Sequence, residues 1–394
     1  MKKIAAFITA FLLFIATISF MTLSDRQEVA MNNPKIGLWV NEYKDKSMTA
    51  VSQNLGDDMA LLLGSSEFHY GKKTKYHPSR VFAKSDKEFM IIGASYTQSL
   101  FHAILVGAVS PELKRKEAIL LVSPSWFKEK GIEPGAFAMR FSETEYLAFL
   151  RNSEISDDVK KEVAALVEER LSSFLEMQDK VKLYNKVYAY GTATPAERIV
   201  VSAQGMWAEK SDYLAFKNVL GLTSFKKYQK WVRPKHKHGQ TPLGATKRWE
   251  GVKISAEREA ALRAGDNPFY MSQKLYKLKV EPRLENKKNS SLKDTYAKSP
   301  EYEDLKLFLK VCKETGVTPK IIMLPQNGYW YDYTGFPVKS RTVARDKVKS
   351  IARDNNVQFI DLYDESYEKY FFKDTVHPSA KGWIKIDEAI NKSY

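Results

Sequence analysis

Cysteine is almost missing from this sequence: Cys312 stands alone among 394 residues. Without a second thiol there is no intramolecular disulfide and no cysteine-rich metal site. Cys312 falls in the apolar run Leu305-Lys306-Leu307-Phe308-Leu309-Lys310-Val311-Cys312 and reads as a small buried hydrophobe rather than a nucleophile. Histidine is scarce too, with six copies, and none sits in a spacing that suits a metal. Neither a metal nor a cofactor is therefore expected. No repeat of solenoid length is visible, which excludes an array of stacked units. Negative charge is in deficit: 47 Asp and Glu stand against 62 Lys and Arg, a formal charge of +15. Such a field attracts nucleic acid, anionic lipid or a polyanionic polymer, and composition alone does not choose among them.

Long apolar runs are absent except at the start. Lys2 and Lys3 precede an uncharged stretch from Ile4 to Leu23. Twenty helical residues span roughly 30 Å, about one hydrocarbon core. The stretch is longer than a secretory h-region and no small-residue cleavage site closes it, so an uncleaved anchor is expected over a cleaved signal peptide. The two lysines keep the N-terminal end in the cytoplasm. The expected layout is a cytoplasmic tip and transmembrane anchor over 1–25, followed by an extracytoplasmic domain over 26–394 held at the cell membrane by a single pass. That location removes nucleic acid as a partner and leaves the membrane and anionic polymers.

Five short apolar runs have strand length: 59–63, 89–92, 118–122, 320–324 and 357–362. Several are apolar at consecutive positions, as strands buried on both faces should be. Amphipathic helical patterns over 98–109, 301–315, 340–355 and 379–392 alternate with them. The expected fold is α/β, a parallel sheet with helices on both sides. A large helical insertion occupies about 142–298. It opens with the capping box Ser142-Glu143-Thr144-Glu145, and helices are expected over 157–177, 200–219 and 255–265. Residues 226–249 are basic, aromatic and turn-rich, and read either as a solvated loop or as an anion-contacting surface.

In an open α/β sheet, ligands bind beyond the carboxyl ends of the strands. Four predicted strands end in small, hydroxyl or amide residues: Gly64-Ser65-Ser66, Gly93-Ala94-Ser95-Tyr96-Thr97, Ser123-Pro124-Ser125-Trp126 and Pro325-Gln326-Asn327-Gly328. A serine on a tight strand-to-helix turn sits beside free N–H groups that can hold an oxyanion. It needs a base. His236 and His238 lie in the basic stretch, His69 and His77 read as surface residues, and His102 reads as a core histidine. His377 differs because Asp374 precedes it by three residues, close enough to fix its tautomer, and Pro378 suits the first turn of a closing helix.

A Gly-x-Ser turn after the first strand and an Asp-x-x-His before the last helix resemble the SGNH (GDSL-like) hydrolases. The chain is more closely similar to the DltD family, which moves D-alanyl groups in the D-alanylation of teichoic acids. The matching stretches are Leu63-Gly64-Ser65-Ser66-Glu67, Thr97-Gln98-Ser99-Leu100, Leu121-Val122-Ser123-Pro124-Ser125-Trp126-Phe127, Asn327-Gly328-Tyr329-Trp330-Tyr331-Asp332-Tyr333-Thr334-Gly335 and Asp374-Thr375-Val376-His377-Pro378. The resemblance implies a three-layer SGNH-like domain in a Gram-positive cell envelope. It implies transfer of D-alanyl esters to lipoteichoic or wall teichoic acid, alongside a membrane-bound O-acyltransferase and other components of that system. Carried over, Ser66 is the nucleophile, His377 the base and Asp374 its orienter. Ser65 stands where the broader pattern has aspartate, so the choice between the two serines stays open. Gly93 is the expected oxyanion donor, with Ser125 and Asn327 as candidates for a second. Trp330, with Tyr331 and Tyr333, forms either a packed loop or a substrate wall. Two further readings remain: an esterase or thioesterase that releases acyl groups to water, and a non-catalytic docking subunit.

Overall fold

A computed structural model of the chain describes residues 5, 6, 8, 9, 11–16, 33–222 and 247–394. Among the described residues no helix is long and apolar enough to cross a membrane. Half of the apolar stretch 4–23 of the expected anchor, and nearly all of the basic stretch 226–249, lie outside the described residues.

Five strands, β1 (Met59–Leu63), β2 (Glu88–Ile92), β3 (Glu117–Val122), β4 (Thr318–Met323) and β5 (Gln358–Asp361), form one parallel sheet in the order β2-β1-β3-β4-β5. Each falls within a few residues of an expected apolar run. β4 starts earlier than its apolar residues do, at Thr318-Pro319. A proline cannot donate to a ladder, but β5 pairs with β4 only from Lys320 onward, so no ladder bond is lost.

Side chains alternate across a strand. Leu61, Leu63, Ile92, Leu120 and Met323 enter one apolar cluster, while Leu62, Ile91, Leu121 and Ile322 enter another. Both faces are therefore covered, which is why the strands read as unbroken apolar runs. The helices that build the layers, the insertion and the site are α1 (Ser66–Gly71), α2 (Ser99–Val109), α3 (Glu143–Arg151), α4 (Asp157–Arg170), α5 (Leu175–Tyr188), α6 (Pro195–Gly221), α7 (Lys247–Ala264), α8 (Glu301–Glu314), α9 (Gly328–Tyr333), α10 (Val338–Asp354) and α11 (Ala380–Ser393), with shorter helical turns between them. Residues of α2, α8 and α10 fill the first cluster; α11 and α7 fill the second. The result is three layers, helix on sheet on helix.

The insertion opens at the expected residue with half of the expected box: the Ser142 hydroxyl accepts the Glu145 N–H at the start of α3, but the Glu145 carboxyl does not return a bond to the Ser142 N–H. Tyr146, Leu147, Val159, Val163, Val181 and Tyr184 of the insertion lie in the same cluster as the sheet, so it extends that core. One expected helix, 157–177, is two. α4 ends at Arg170, the turn Leu171–Phe174 closes on itself, and α5 begins at Leu175. Leu171 is fully buried and Ser172-Ser173 favours a turn, so burial and local hydrogen bonding end the helix together. Helix α6 starts five residues before its expected position because Thr194 and Glu197 cap each other reciprocally and Pro195 occupies the first turn.

Candidate active site

The order β2-β1-β3 reverses the direction of the winding at β1, and the crevice beyond its carboxyl end is where such sheets bind ligands. The Gly64-Ser65-Ser66 turn stands there. Ser65 stands at φ −133°, ψ −135°, outside both the helical and the extended regions, and Ser66 starts α1. The two serines have different fates. The Ser65 hydroxyl is buried and donates to the Ala94 carbonyl at 3.1 Å. The Ser66 hydroxyl lies 3.0 Å from Nε2 of His377, across 311 residues of chain.

His377 is fixed from its other side. Its Nδ1 lies 2.9 Å from both carboxylate oxygens of Asp374. Asp374 also accepts the backbone N–H of His377 at 2.8 Å and of Val376 at 3.0 Å, so one short loop builds the pair. Burial alone would push the Asp374 carboxyl up; the His377 ring and these two N–H groups outweigh it and hold the carboxyl below its ordinary range. A carboxylate on Nδ1 sets that nitrogen as the N–H and leaves Nε2 to face the serine. Tyr70, one turn after Ser66 on α1, stacks on the His377 ring with centroids 4.0 Å apart.

The turn is held from beneath by groups to which sequence reading assigned other roles or none. The Thr97 hydroxyl lies 2.9 Å from the Gly64 carbonyl, and His102 Nε2 lies 2.9 Å from the same oxygen. The Ser65 N–H donates to the buried Glu67 carboxylate at 2.6 Å. Gly93 approaches Gly64 so closely that a Cβ on Gly93 would sit 2.6 Å from the Gly64 carbonyl carbon and oxygen. Both atoms are backbone, so nothing there could yield.

A cleft of about 860 Å³ opens over Ser66 and His377, and Ser125 and Trp330 are in its wall. Two expected residues are not brought there. Gly93 turns its N–H to the Asp45 carboxylate at 3.3 Å, and its place is structural: it lets the two loops touch. Asn327 is buried and caps α9, accepting the Trp330 N–H at 3.1 Å and donating to the Phe269 carbonyl at 3.0 Å. Ser66 itself, as the first residue of α1, has a backbone N–H without an intrahelical acceptor. Ser95 also lines the cleft, beside Tyr96, which is half exposed at φ +71°. Trp330 does two things at once: it packs edge-on against Phe269 at 5.3 Å and presents part of its surface to the cleft.

His69 and His77 are not surface residues. His77 is fully buried, with Nδ1 accepting the Ser79 N–H at 3.1 Å, and His69 packs beside Asp45. Cys312 is buried, and burial pushes its thiol far up, out of nucleophile range. Among the described residues no group of three or more His, Cys, Asp or Glu is disposed to hold a metal ion.

The family model described as DltD protein matches residues 37–394. Protein DltD of Bacillus subtilis (strain 168) is 29% identical over 343 residues, 84% of this chain and 81% of that protein. Protein DltD of Staphylococcus aureus (strain NCTC 8325 / PS 47) is 26% identical over 333 residues, covering 84% and 80%. Protein DltD of Lacticaseibacillus rhamnosus is 22% identical over 349 residues, covering 88% and 79%. A match that runs from before β1 through α11, and so takes in every strand of the sheet and both halves of the Ser66–His377 pair, places the chain in the DltD protein family.

Proposed function

We propose that the chain is an SGNH-like serine acyltransferase of teichoic-acid D-alanylation. It moves D-alanyl esters onto lipoteichoic or wall teichoic acid outside the membrane, working beside a membrane-bound O-acyltransferase. The reading rests on one observation above all: Ser66 Oγ, His377 and Asp374 stand in hydrogen-bonded series at 3.0 and 2.9 Å. Family membership supports the reaction class.

The step proceeds as follows. His377 Nε2 takes the Ser66 proton as Oγ attacks the ester carbonyl carbon. The free N–H of Ser66 is the nearest candidate to hold the oxyanion, with the Ser95 loop facing the same cleft. Collapse breaks the bond to the leaving oxygen, which receives the proton from His377 and leaves an acyl-Ser66. A hydroxyl of the polymer then gives its proton to His377 and attacks the acyl carbonyl; collapse breaks the acyl–Ser66 bond, and His377 returns that proton to Ser66 Oγ. Asp374 stays ionised throughout and stabilises the imidazolium. Ester exchanges for ester, so the step needs no nucleotide. The chain's +15 charge suits an anionic acceptor.

Ser66→Ala removes one oxygen and should leave the fold unchanged. D-alanyl ester content of the polymer in cells carrying it should fall to background, and transfer by the purified chain should drop at least about 10³-fold. Retained D-alanylation would instead support a non-catalytic docking subunit. Acyl release that proceeds equally with and without polymer would mark an esterase.

A further inference from the structure

A second, smaller hollow of about 240 Å³ adjoins the cleft. Tyr70, Asp374 and His377 wall one side, and Lys279, Arg283 and Lys287 line the other. The stretch that carries these cations is helical but irregular. A single turn, Gln273–Leu275, runs into a π-helical turn, Tyr276–Val280, then the 3₁₀ turn Glu281–Arg283 and a last α-turn, Leu284–Lys287. Pro282 lacks an N–H and cannot continue a regular ladder. Tyr276 and Val280 are buried with Phe269 and Met271, and Leu284 packs against this group together with Trp330 and Tyr333. The stretch is also clamped at both ends. The Ser272 N–H donates to the Lys373 carbonyl at 3.0 Å, and the Tyr333 hydroxyl donates to the Leu284 carbonyl at 3.0 Å.

With 276, 280 and 284 held inward, 279, 283 and 287 recur every four residues on a neighbouring face, all exposed. Glu281 and Glu285 interleave in sequence, yet among the described residues no carboxylate lies within ion-pair distance of the three cations. Like charges four residues apart repel. A fold that clamps such a row beside a reactive hydroxyl leaves its charge unneutralised until an anion arrives. The row also reaches the reacting groups: Lys279 Nζ lies 5.9 Å from the centre of the Tyr70 ring, and that ring stacks on His377. Eight helical residues span on the order of 10 Å, more than one phosphate occupies.

We propose that Lys279, Arg283 and Lys287 form a docking row for phosphodiesters of a polyanionic acceptor, which holds a hydroxyl of that polymer against Ser66. This rests on the acyltransfer reading for its direction, but its test does not need turnover. The full chain carrying Ser66→Ala is purified in detergent, and its binding to fluorescently labelled poly(glycerol phosphate) is titrated at several salt concentrations. Adding Lys279→Gln, Arg283→Gln and Lys287→Gln should weaken binding about tenfold and flatten its salt dependence. A charge-matched control, Lys313→Gln with Lys339→Gln and Lys349→Gln, all exposed elsewhere, should change it little. Equal losses in the two sets would mean a diffuse field, and no loss in the first set, or no binding by the starting protein, would end the proposal. A soluble short-chain phosphatidylglycerol added as competitor should leave the polymer bound. If it displaces the polymer one for one, the row reads a lipid headgroup and the proposal fails. Failure of the acyltransfer reading would register separately, as D-alanylation that survives Ser66→Ala in cells.

Discussion

His102 illustrates how a single residue can govern a site it does not enter. The Gly64 carbonyl can only accept, so the ring nitrogen 2.9 Å away must carry the hydrogen, and His102 is the Nε2–H tautomer. Its Nδ1 is buried with no hydrogen-bond partner among the described residues. Burial disfavours the charged ring and, against the pull of the Gly64 bond, brings its pKa down to about 4. An unfolded histidine titrates near 6.5. The folded value lies lower, so the stability His102 contributes is fully present above about pH 6.5 and is lost as pH falls toward 4. His102→Gln keeps a donor near Gly64 but cannot titrate. Its deficit against the parent at pH 7.5 should shrink by about 2 kcal/mol, or reverse, by pH 4.5. Thermal melts of both proteins across that range check this, and a constant gap would contradict it. None of this was legible beforehand: an apolar helix pattern located His102 in the core but not which carbonyl it would meet. The choice between Ser65 and Ser66 was equally closed to sequence reading, because only the facing Ala94 carbonyl and His377 ring tell the two hydroxyls apart.

Among the elements, helix ends depend on partners far away in the chain. Glu301, the first residue of α8, is buried and accepts the N–H of Ser99, the first residue of α2, at 2.9 Å. A carboxylate at a helix N-terminus meets the positive end of its dipole, but burial and the neighbouring Asp304 raise the Glu301 pKa. Glu301→Gln keeps an acceptor without a buried charge, whereas Glu301→Ala leaves the Ser99 N–H unpaired. The alanine variant should therefore be less stable than the glutamine variant by about 1–2 kcal/mol in denaturant titration. Equal stability would show that Ser99 does not depend on this acceptor. Strands were easier to place than helix boundaries. β1 and β3 are apolar at consecutive positions because both faces are covered, and that pattern is local. The break at Leu171–Phe174 and the early start of α6 depend on turn and capping details; the Thr194–Glu197 box was in plain view, but the apolar pattern that follows it begins later.

For the whole molecule, the membrane anchor expected over 1–25 and the extracytoplasmic placement of 26–394 remain proposals. N-terminal sequencing of the protein from the membrane fraction should return Met1 or Lys2. A mature chain that begins beyond residue 20 would replace the anchor with a cleaved signal. The family match begins at residue 37, downstream of this segment.

The amino-acid sequence alone determined the class of the sheet, its five strands, the serine turn and the Asp374–His377 loop, because each follows from neighbours within a few residues. Tertiary structure alone decided which serine meets the histidine, that Gly93 and Asn327 serve packing and capping, and that Lys279, Arg283 and Lys287 border the cleft. These depend on contacts between segments remote in the chain, where packing of the three layers, and no local pattern, sets the distance.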